Sequence, residues 1–313
     1  MIKEEFYFDS RDGENRIHAV RYIPDDGNVR GIVQIVHGMA EYVERYENLA
    51  EFLTKRGILV TGEDHLGHGK SVSEGGTFGY FCEQDPATVV VRDVHRLKKI
   101  TEEQYPQVPY IILGHSMGSF IARNYLCRYG SGIGGAVIVG TGMQSAGLIF
   151  ASKAMAGIQK LFCGSKHVSH FIDKAAFGGY NKRIDSPRTS SDWLSRNTDN
   201  VDRYIADELC GFTFTVNGFQ TLFELIRRLQ KQENLEKVPQ NLPILMVSGA
   251  EDPVGDYGKG VHKACDSLKR AGVKNITVKL YENDRHELLN EDDAEAAMED
   301  IWQWICKEVP GIA

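Results

Sequence analysis

The chain has 313 residues, 42% of them hydrophobic and 25% charged, with a net charge of −7. That is the make-up of a globular protein with one large domain, or one domain carrying a sizeable insertion. The acidic balance argues against a nucleic-acid partner, which calls for a basic face. No apolar run approaches the roughly 20 residues that span a bilayer, and residues 1–6 carry acids where a signal peptide carries its apolar run. Six cysteines are scattered without C-x-x-C spacing. This speaks against a disulfide framework or a cysteine metal site and for a reduced, cytoplasmic chain.

In chain order, short apolar runs alternate with helix-like stretches. Residues 4–8 and 17–22 read as an antiparallel hairpin turning around Asp12 and Gly13. Residues 31–36 form a buried strand that enters a loop at His37-Gly38, and 41–56 read as a helix stopped by Gly57. A strand at 58–60, a glycine-rich loop and a helix at 87–105 come next. A strand at 108–113, a helix at 119–128 and a strand at 135–140 continue the alternation, as do strands at 243–249 and 276–281 and a closing helix at 294–307. Strands separated by helices predict an α/β fold with a mostly parallel sheet covered on both faces.

The alternation stops over residues 143–242. Helix-like stretches at 148–162, 168–176, 201–209 and 221–232 replace it. The expected organisation is therefore a core of residues 1–142 and 243–313 with an inserted helical cap at 143–242. Apolar cap residues such as Leu148 and Phe150 are candidates to line a substrate site, although packing on the core accounts for them equally well.

The chemistry is carried by Gly114-His115-Ser116-Met117-Gly118, a G-x-S-x-G string between a strand and a helix. Small residues around a sharp strand-to-helix turn push one hydroxyl out at the sheet edge, and the amide after the serine sits at a helix N-terminus. A serine hydroxyl needs a base, and the base needs an orienting acid. Asp252 lies at the carboxyl end of a late strand, beside its rival Glu251. His286 lies in the loop after the next strand, whereas the competing His262 falls inside a helix. A second amide for an oxyanion would come from the loop after an early strand. There Gly38 permits unusual backbone angles, so the N–H groups of Met39 and Met117 are the expected pair. Asp64, His65 and His68 have the side chains of a zinc site, a reading set against a structural role for their loop.

Together with Asp64-His65-Leu66-Gly67-His68-Gly69-Lys70-Ser71 and Arg285-His286-Glu287, these segments resemble the α/β-hydrolase superfamily. The resemblance is to its serine aminopeptidase-like branch, which includes monoacylglycerol lipases and bacterial lysophospholipases. It implies an α/β-hydrolase fold with a catalytic triad of Ser116, Asp252 and His286 and an oxyanion hole at Met39 and Met117. It also implies a structural role for the 64–71 loop, with no metal and no cofactor. Leu66 stands where the family usually has arginine, which leaves that arginine's polar contacts without a counterpart. His37, Gly38, Leu148, Phe150, Trp193 and Val254 are the candidates to line the substrate site.

The expected function is hydrolysis of a carboxylic ester through an acyl-enzyme. The expected substrate is a monoacylglycerol, lysophospholipid or similar single-chain ester, as a small-molecule partner. Short-chain or aryl esters, thioesters and peptide N-termini are the alternatives within the fold, and a ligand-binding protein with little turnover is the alternative outside enzymes. The apolar stretch 148–162, with Lys153 and Lys160, leaves room for peripheral membrane contact through the cap.

Overall fold

The structure is a computed structural model and describes residues 1–312. Eight strands form a single sheet: β1 (Ile2–Asp9), β2 (Arg16–Ile23), β3 (Gly31–Val36), β4 (Ile58–Glu63), β5 (Tyr110–His115), β6 (Gly135–Val139), β7 (Ile244–Gly249) and β8 (Ile276–Tyr281). Their order is β1-β2-β4-β3-β5-β6-β7-β8. The first two pairs, β1-β2 and β2-β4, are antiparallel and all others parallel.

Helices α1 (Glu47–Thr54), α2 (Pro86–Gln104) and α3 (Met117–Tyr129) lie between the early strands. Between β6 and β7 the chain makes α4 (Ala146–Cys163), α5 (His170–Phe177), α6 (Thr198–Ala206), α7 (Val216–Leu229) and α8 (Gln232–Leu235). Helices α9 (Lys259–Arg270) and α10 (Ala294–Glu308) complete the fold. None of these, among the described residues, is long and apolar enough to cross a membrane. The expected hairpin and the parallel strands are present, and β3 and β8 begin and end where the apolar runs do. The stretch 41–56 is not one helix, because a loop and a short 3-10 turn (Val43–Tyr46) precede α1.

Strand periodicity explains the two cores. Ile32, Val36 and Ile112 face one side of the sheet, with α2, α3 and α7 above them. Val33, Ile35, Ile111 and Leu113 face the other, beside α1 and α10. Residues in the central strands are fully buried, so they read as continuous apolar runs.

One buried acid sits at the edge of the first core. Asp93 on α2 accepts from the Ser10 hydroxyl at 2.7 Å and from the Arg11 N–H at 2.6 Å. Burial pushes its pKa up to about 7, against the pull of those two hydrogen bonds. A raised carboxyl pKa means that the folded state holds the proton more tightly than the unfolded chain. The stabilisation is complete below about pH 4 and is lost as pH rises towards 7. Asp93→Asn, which cannot ionise, should therefore gain stability relative to the native protein between about pH 4 and pH 8, on the order of 4 kcal/mol. Urea unfolding of both proteins across that range checks it; parallel pH profiles would reject it.

Candidate active site

Ser116 occupies the turn between β5 and α3 with φ 53° and ψ −122°, outside the comfortable region for a residue with a side chain. Its N–H donates to the Val139 carbonyl at 3.0 Å, and its carbonyl accepts from Ser119 N–H at 2.9 Å, which holds the turn. The glycines on either side allow the crowding. A Cβ on Gly114 would overlap the Gly118 carbonyl, and one on Gly118 would overlap the carbonyls of Val36 and His37.

Asp252 and His286 come together from the loops after β7 and β8. His286 Nδ1 lies 3.0 Å from Asp252 Oδ2, both side chains buried. The other Asp252 oxygen accepts from Val254 N–H at 2.8 Å, and the Ser248 hydroxyl donates to Oδ2 at 3.2 Å. A Cβ on Gly249 would strike the Asp284 and Arg285 carbonyls, so its absence lets the histidine loop lie against β7. His262 lies on α9, as the sequence predicts.

The loop after β3 turns sharply at Ala40, φ 52°. Gly38 N–H donates to the Glu41 carboxylate. Among the described residues, the amides of Met39 and Met117 donate to no protein acceptor. Met117 opens α3, where the first N–H groups have no partner inside the helix.

Beneath these residues lies a charge cluster that sequence reasoning missed. Glu41 also accepts from Tyr46 Oη at 2.8 Å and Arg45 at 2.8 Å, and lies 3.2 Å from His115 Nδ1. Arg45 continues to Glu287 through two hydrogen bonds of 2.7 and 2.8 Å, and Glu287 accepts from Asn200 of α6 at 2.6 Å. His115 Nε2 lies 3.1 Å from the carbonyl oxygen of His286. Burial opposes the charge on Glu41, but the His115 hydrogen bond and the Arg45 charge outweigh it and hold its pKa far below the usual carboxylate range. Burial likewise opposes charge on His115, and Glu41 reverses the balance and raises its pKa. The sequence signal was slight: a glutamate three residues after Gly38 and a histidine before the elbow serine.

The loop 64–71 is held by its own contacts. Asp64 accepts from the amides of Val43 and Lys70, each at 2.9 Å, and contacts His18 Nδ1 at 2.8 Å. The rings of His37 and His65 stack at 4.0 Å, and His65 N–H donates to His37 Nε2 at 3.0 Å. Burial lowers the pKa of both, and that of His68 to about 3. Leu66 packs into the apolar core.

Ser116 and His286 open into an apolar cavity of about 650 Å³. Of the six residues expected at a substrate site, Gly38, Leu148, Trp193 and Val254 line it. Trp193 packs on His286 with ring centroids 5.1 Å apart. Two candidates fall outside. His37 is wholly buried behind the loop, its ring used by His65 and by the Gly38 carbonyl. Phe150 is 77% exposed, because it follows Ile149 by about 100° around α4 and so points away from the cavity that Ile149 lines.

The sheet order, the left-handed serine turn after β5 and the acid and histidine after β7 and β8 define an α/β-hydrolase. The family model for serine aminopeptidase, S33, matches residues 27–293, and the chain belongs to that family. It is 27% identical to monoglyceride lipase of Rattus norvegicus over 293 residues, 92% of this chain and 86% of the relative. It is 28% identical over 294 residues to monoacylglycerol lipase of Mycolicibacterium smegmatis, 92% and 94% of the two chains. Among solved structures, a thermostable carboxyl esterase from Bacillus coagulans in complex with glycerol superposes with a TM-score of 0.92. That esterase is 31% identical and covers 100% of both chains.

Replacing Glu41 with alanine leaves Arg45 and His115 short of a buried counter-charge. The substitution should lower stability by about 3 kcal/mol and cut kcat for an ester substrate, since it releases the Gly38 turn and the His115 contact to His286. Calorimetry and steady-state kinetics on the same preparation test it, and an unchanged melting temperature would contradict the assignment.

Proposed function

We propose that this chain hydrolyses single-chain carboxylic esters, of the monoacylglycerol or lysophospholipid type, through an acyl-enzyme on Ser116. The observation that carries the reading is the Asp252–His286 pair beside the strained Ser116 turn, opening on an apolar cavity of about 650 Å³. That size lies in the range of small-molecule sites. The esterase and lipase names of the relatives support it.

In the mechanism, Ser116 Oγ attacks the ester carbonyl while His286 Nε2 takes its proton. His286 then gives that proton to the leaving alcohol. Asp252 fixes the imidazole tautomer and stabilises its charged form. The amides of Met39 and Met117 receive the oxyanion, and their lack of protein acceptors supports this role. Water, with His286 again as base, releases the fatty acid. Residues 143–242 act as the cap, contributing Leu148, Met155, Trp193 and Phe223 to the cavity wall. The six cysteines are free, which supports a reducing, cytoplasmic setting.

A peptide substrate with a free ammonium is less well served. Asp202 pairs with Arg188, and Asp207 accepts from Tyr42. Glu41 and Glu287 face the cavity but are committed to Arg45, and burial raises the pKa of the remaining carboxyl, Asp173.

Ser116→Ala should abolish the burst of p-nitrophenol from an acyl ester and lower kcat by about 10⁴-fold or more. Asp252→Asn should cost on the order of 10⁴-fold through the wrong imidazole tautomer. An undiminished burst in the alanine variant would sink the assignment. With the native protein, each methylene buried is worth about 0.8 kcal/mol, so kcat/KM should climb from acetyl to dodecanoyl esters. A profile that is flat or falls with chain length rejects the single-chain acyl substrate.

A further inference from the structure

We propose that the alcohol released from the substrate carries a phosphate, held in a basic recess beyond Trp193 and Tyr180, so that the preferred ester joins one acyl chain to glycerophosphate. The inference rests on the reading of Ser116 as the acyl-transfer nucleophile and adds which alcohol the site is shaped to release.

The direction of the leaving group comes from the imidazole. His286 returns a proton to the departing oxygen, so that oxygen must come within hydrogen-bond reach of Nε2. The alcohol half of the ester therefore lies on the His286 side of the cavity. Trp193 packs there, its ring centroid 5.1 Å from that of His286, and Tyr180 meets Trp193 edge-on at 4.9 Å. Neither ring is fully buried. Both line the cavity that holds Ser116, and both also line a second recess of about 220 Å³. The acyl half has different walls, among them Ile149 and Met155 of α4 and Leu222 and Phe223 of α7, which packs on α4.

The recess beyond the two rings is basic. An open cleft of about 620 Å³ adjoins it and shares Tyr180, Arg183 and Tyr257 with it. Between them they are lined by Lys174, Lys182, Arg183, Arg196 and Arg285 and by one acid, Glu251, in a chain whose net charge is −7. Arg196 is committed to Asp284 and Asp293. Among the described residues, none of the other four cations has an ion pair, with Glu251 or with any other carboxylate. Arg183 lies flat on Tyr257, its guanidinium carbon 3.5 Å from the ring centroid. A guanidinium stacked in this way keeps its edge N–H groups for an oxyanion. Arg285 spends Nη1 on the carbonyls of Asp192 and Ser195, at 2.8 and 3.0 Å, and those bonds hold its charge in place.

Unpaired cations gathered round a concave site focus a positive field, and an anion with several acceptor oxygens answers both a guanidinium fork and an ammonium. A neutral glycerol gains nothing from that field. A phosphocholine would set its own cation among those of the recess. Glycerophosphate meets both demands. Ser116 Oγ displaces its ester oxygen, His286 protonates that oxygen, and water then frees the fatty acid, while the phosphate stays bonded to glycerol throughout.

The test compares 1-decanoylglycerol 3-phosphate with 1-decanoylglycerol, each below its aggregation concentration, because the pair differ only in the phosphate. At low salt kcat/KM should favour the phosphate ester by about 10-fold, and high salt should erase most of the preference. Arg183→Gln/Lys182→Gln, shown to be folded by its melting temperature, should bring the ratio of the two kcat/KM values close to one. Glycerol 3-phosphate should inhibit hydrolysis of a soluble p-nitrophenyl ester far more strongly than inorganic phosphate does. The inference is overturned if the native protein takes both decanoyl esters equally, or if the variant keeps the preference. Equal inhibition by inorganic phosphate would also overturn it, since the recess would then be a site for free anions. Calorimetric titration of the Ser116→Ala protein needs no turnover and should show the phosphate ester binding about 10-fold more tightly than 1-decanoylglycerol. If it does, while the native protein hydrolyses no ester at all, the acyl-transfer reading fails and the phosphate site stands.

Discussion

The closeness of α3 to β3 is the constraint from which the rest of the site follows. With no side chain at Gly118, the first turn of the helix rests against the carbonyls of Val36 and His37. That close approach helps bring Met117 and the turn that carries Met39 onto one cavity. Ser116 meets the cost of the sharp turn with a positive φ, a strain on the order of 1–3 kcal/mol, held by backbone hydrogen bonds to Val139 and Ser119. Gly38 is crowded from the same side, since a Cβ there would come within 3.1 Å of Ser116 Cβ. Two glycines, Gly118 and Gly38, thus let the loop after β3 and the start of α3 close in on Ser116.

Glu41, Arg45, His115 and Glu287 solve a second problem, which is how loops from distant parts of the chain keep their relative positions. Burying four ionisable groups is costly, and a pair recovers the cost only where the remaining lone pairs and protons are satisfied. Here they largely are: Glu41 serves Gly38, Tyr46, His115 and Arg45, and Glu287 serves Arg45 and Asn200. The cluster joins the turn after β3, the residue before Ser116, the loop that carries His286 and α6. Arg285 adds two hydrogen bonds to the carbonyls of Asp192 and Ser195, and Glu287 N–H donates to the Leu194 carbonyl. The helical segment between β6 and β7 is therefore strapped to the loop that carries His286.

What could be read from the chain follows from which interactions are local. Strands β3 and β8 were legible because a β-branched run bounded by turn residues has few other places to go. The placement of Ser116, Asp252 and His286 as candidates was legible because each sits just past a strand end. The charge cluster was not, since its members stand 242 residues apart between Arg45 and Glu287 and nothing local marks the pairing. Residues 41–46 share the polarity of a helix start, yet Glu41 is held back by the Gly38 amide and the helix begins only at Glu47. Phe150 was misplaced for a different reason. The polar residues of α4, Ser152, Lys153, Gln159 and Lys160, fall on the same side as the buried Ile149 and Ala156, so its polarity points the wrong way for telling inside from outside.

That placement of the polar residues is itself informative. A helix apolar on one face needs one apolar neighbour, and a helix apolar on two faces needs two. For α4 the inner neighbour is the cavity and α7, while the outer face has no partner within the chain. A surface that served only folding would place polar residues there, because exposed phenylalanine and leucine add nothing to stability and invite association. Around Ser116 the chain is fixed by glycine contacts and buried charge at the sheet edge. The wall of the adjoining cavity is left in part to α4, whose inner residues Ile149, Ser152 and Met155 meet the cavity while Phe150 and Leu161 stand uncovered on the other side.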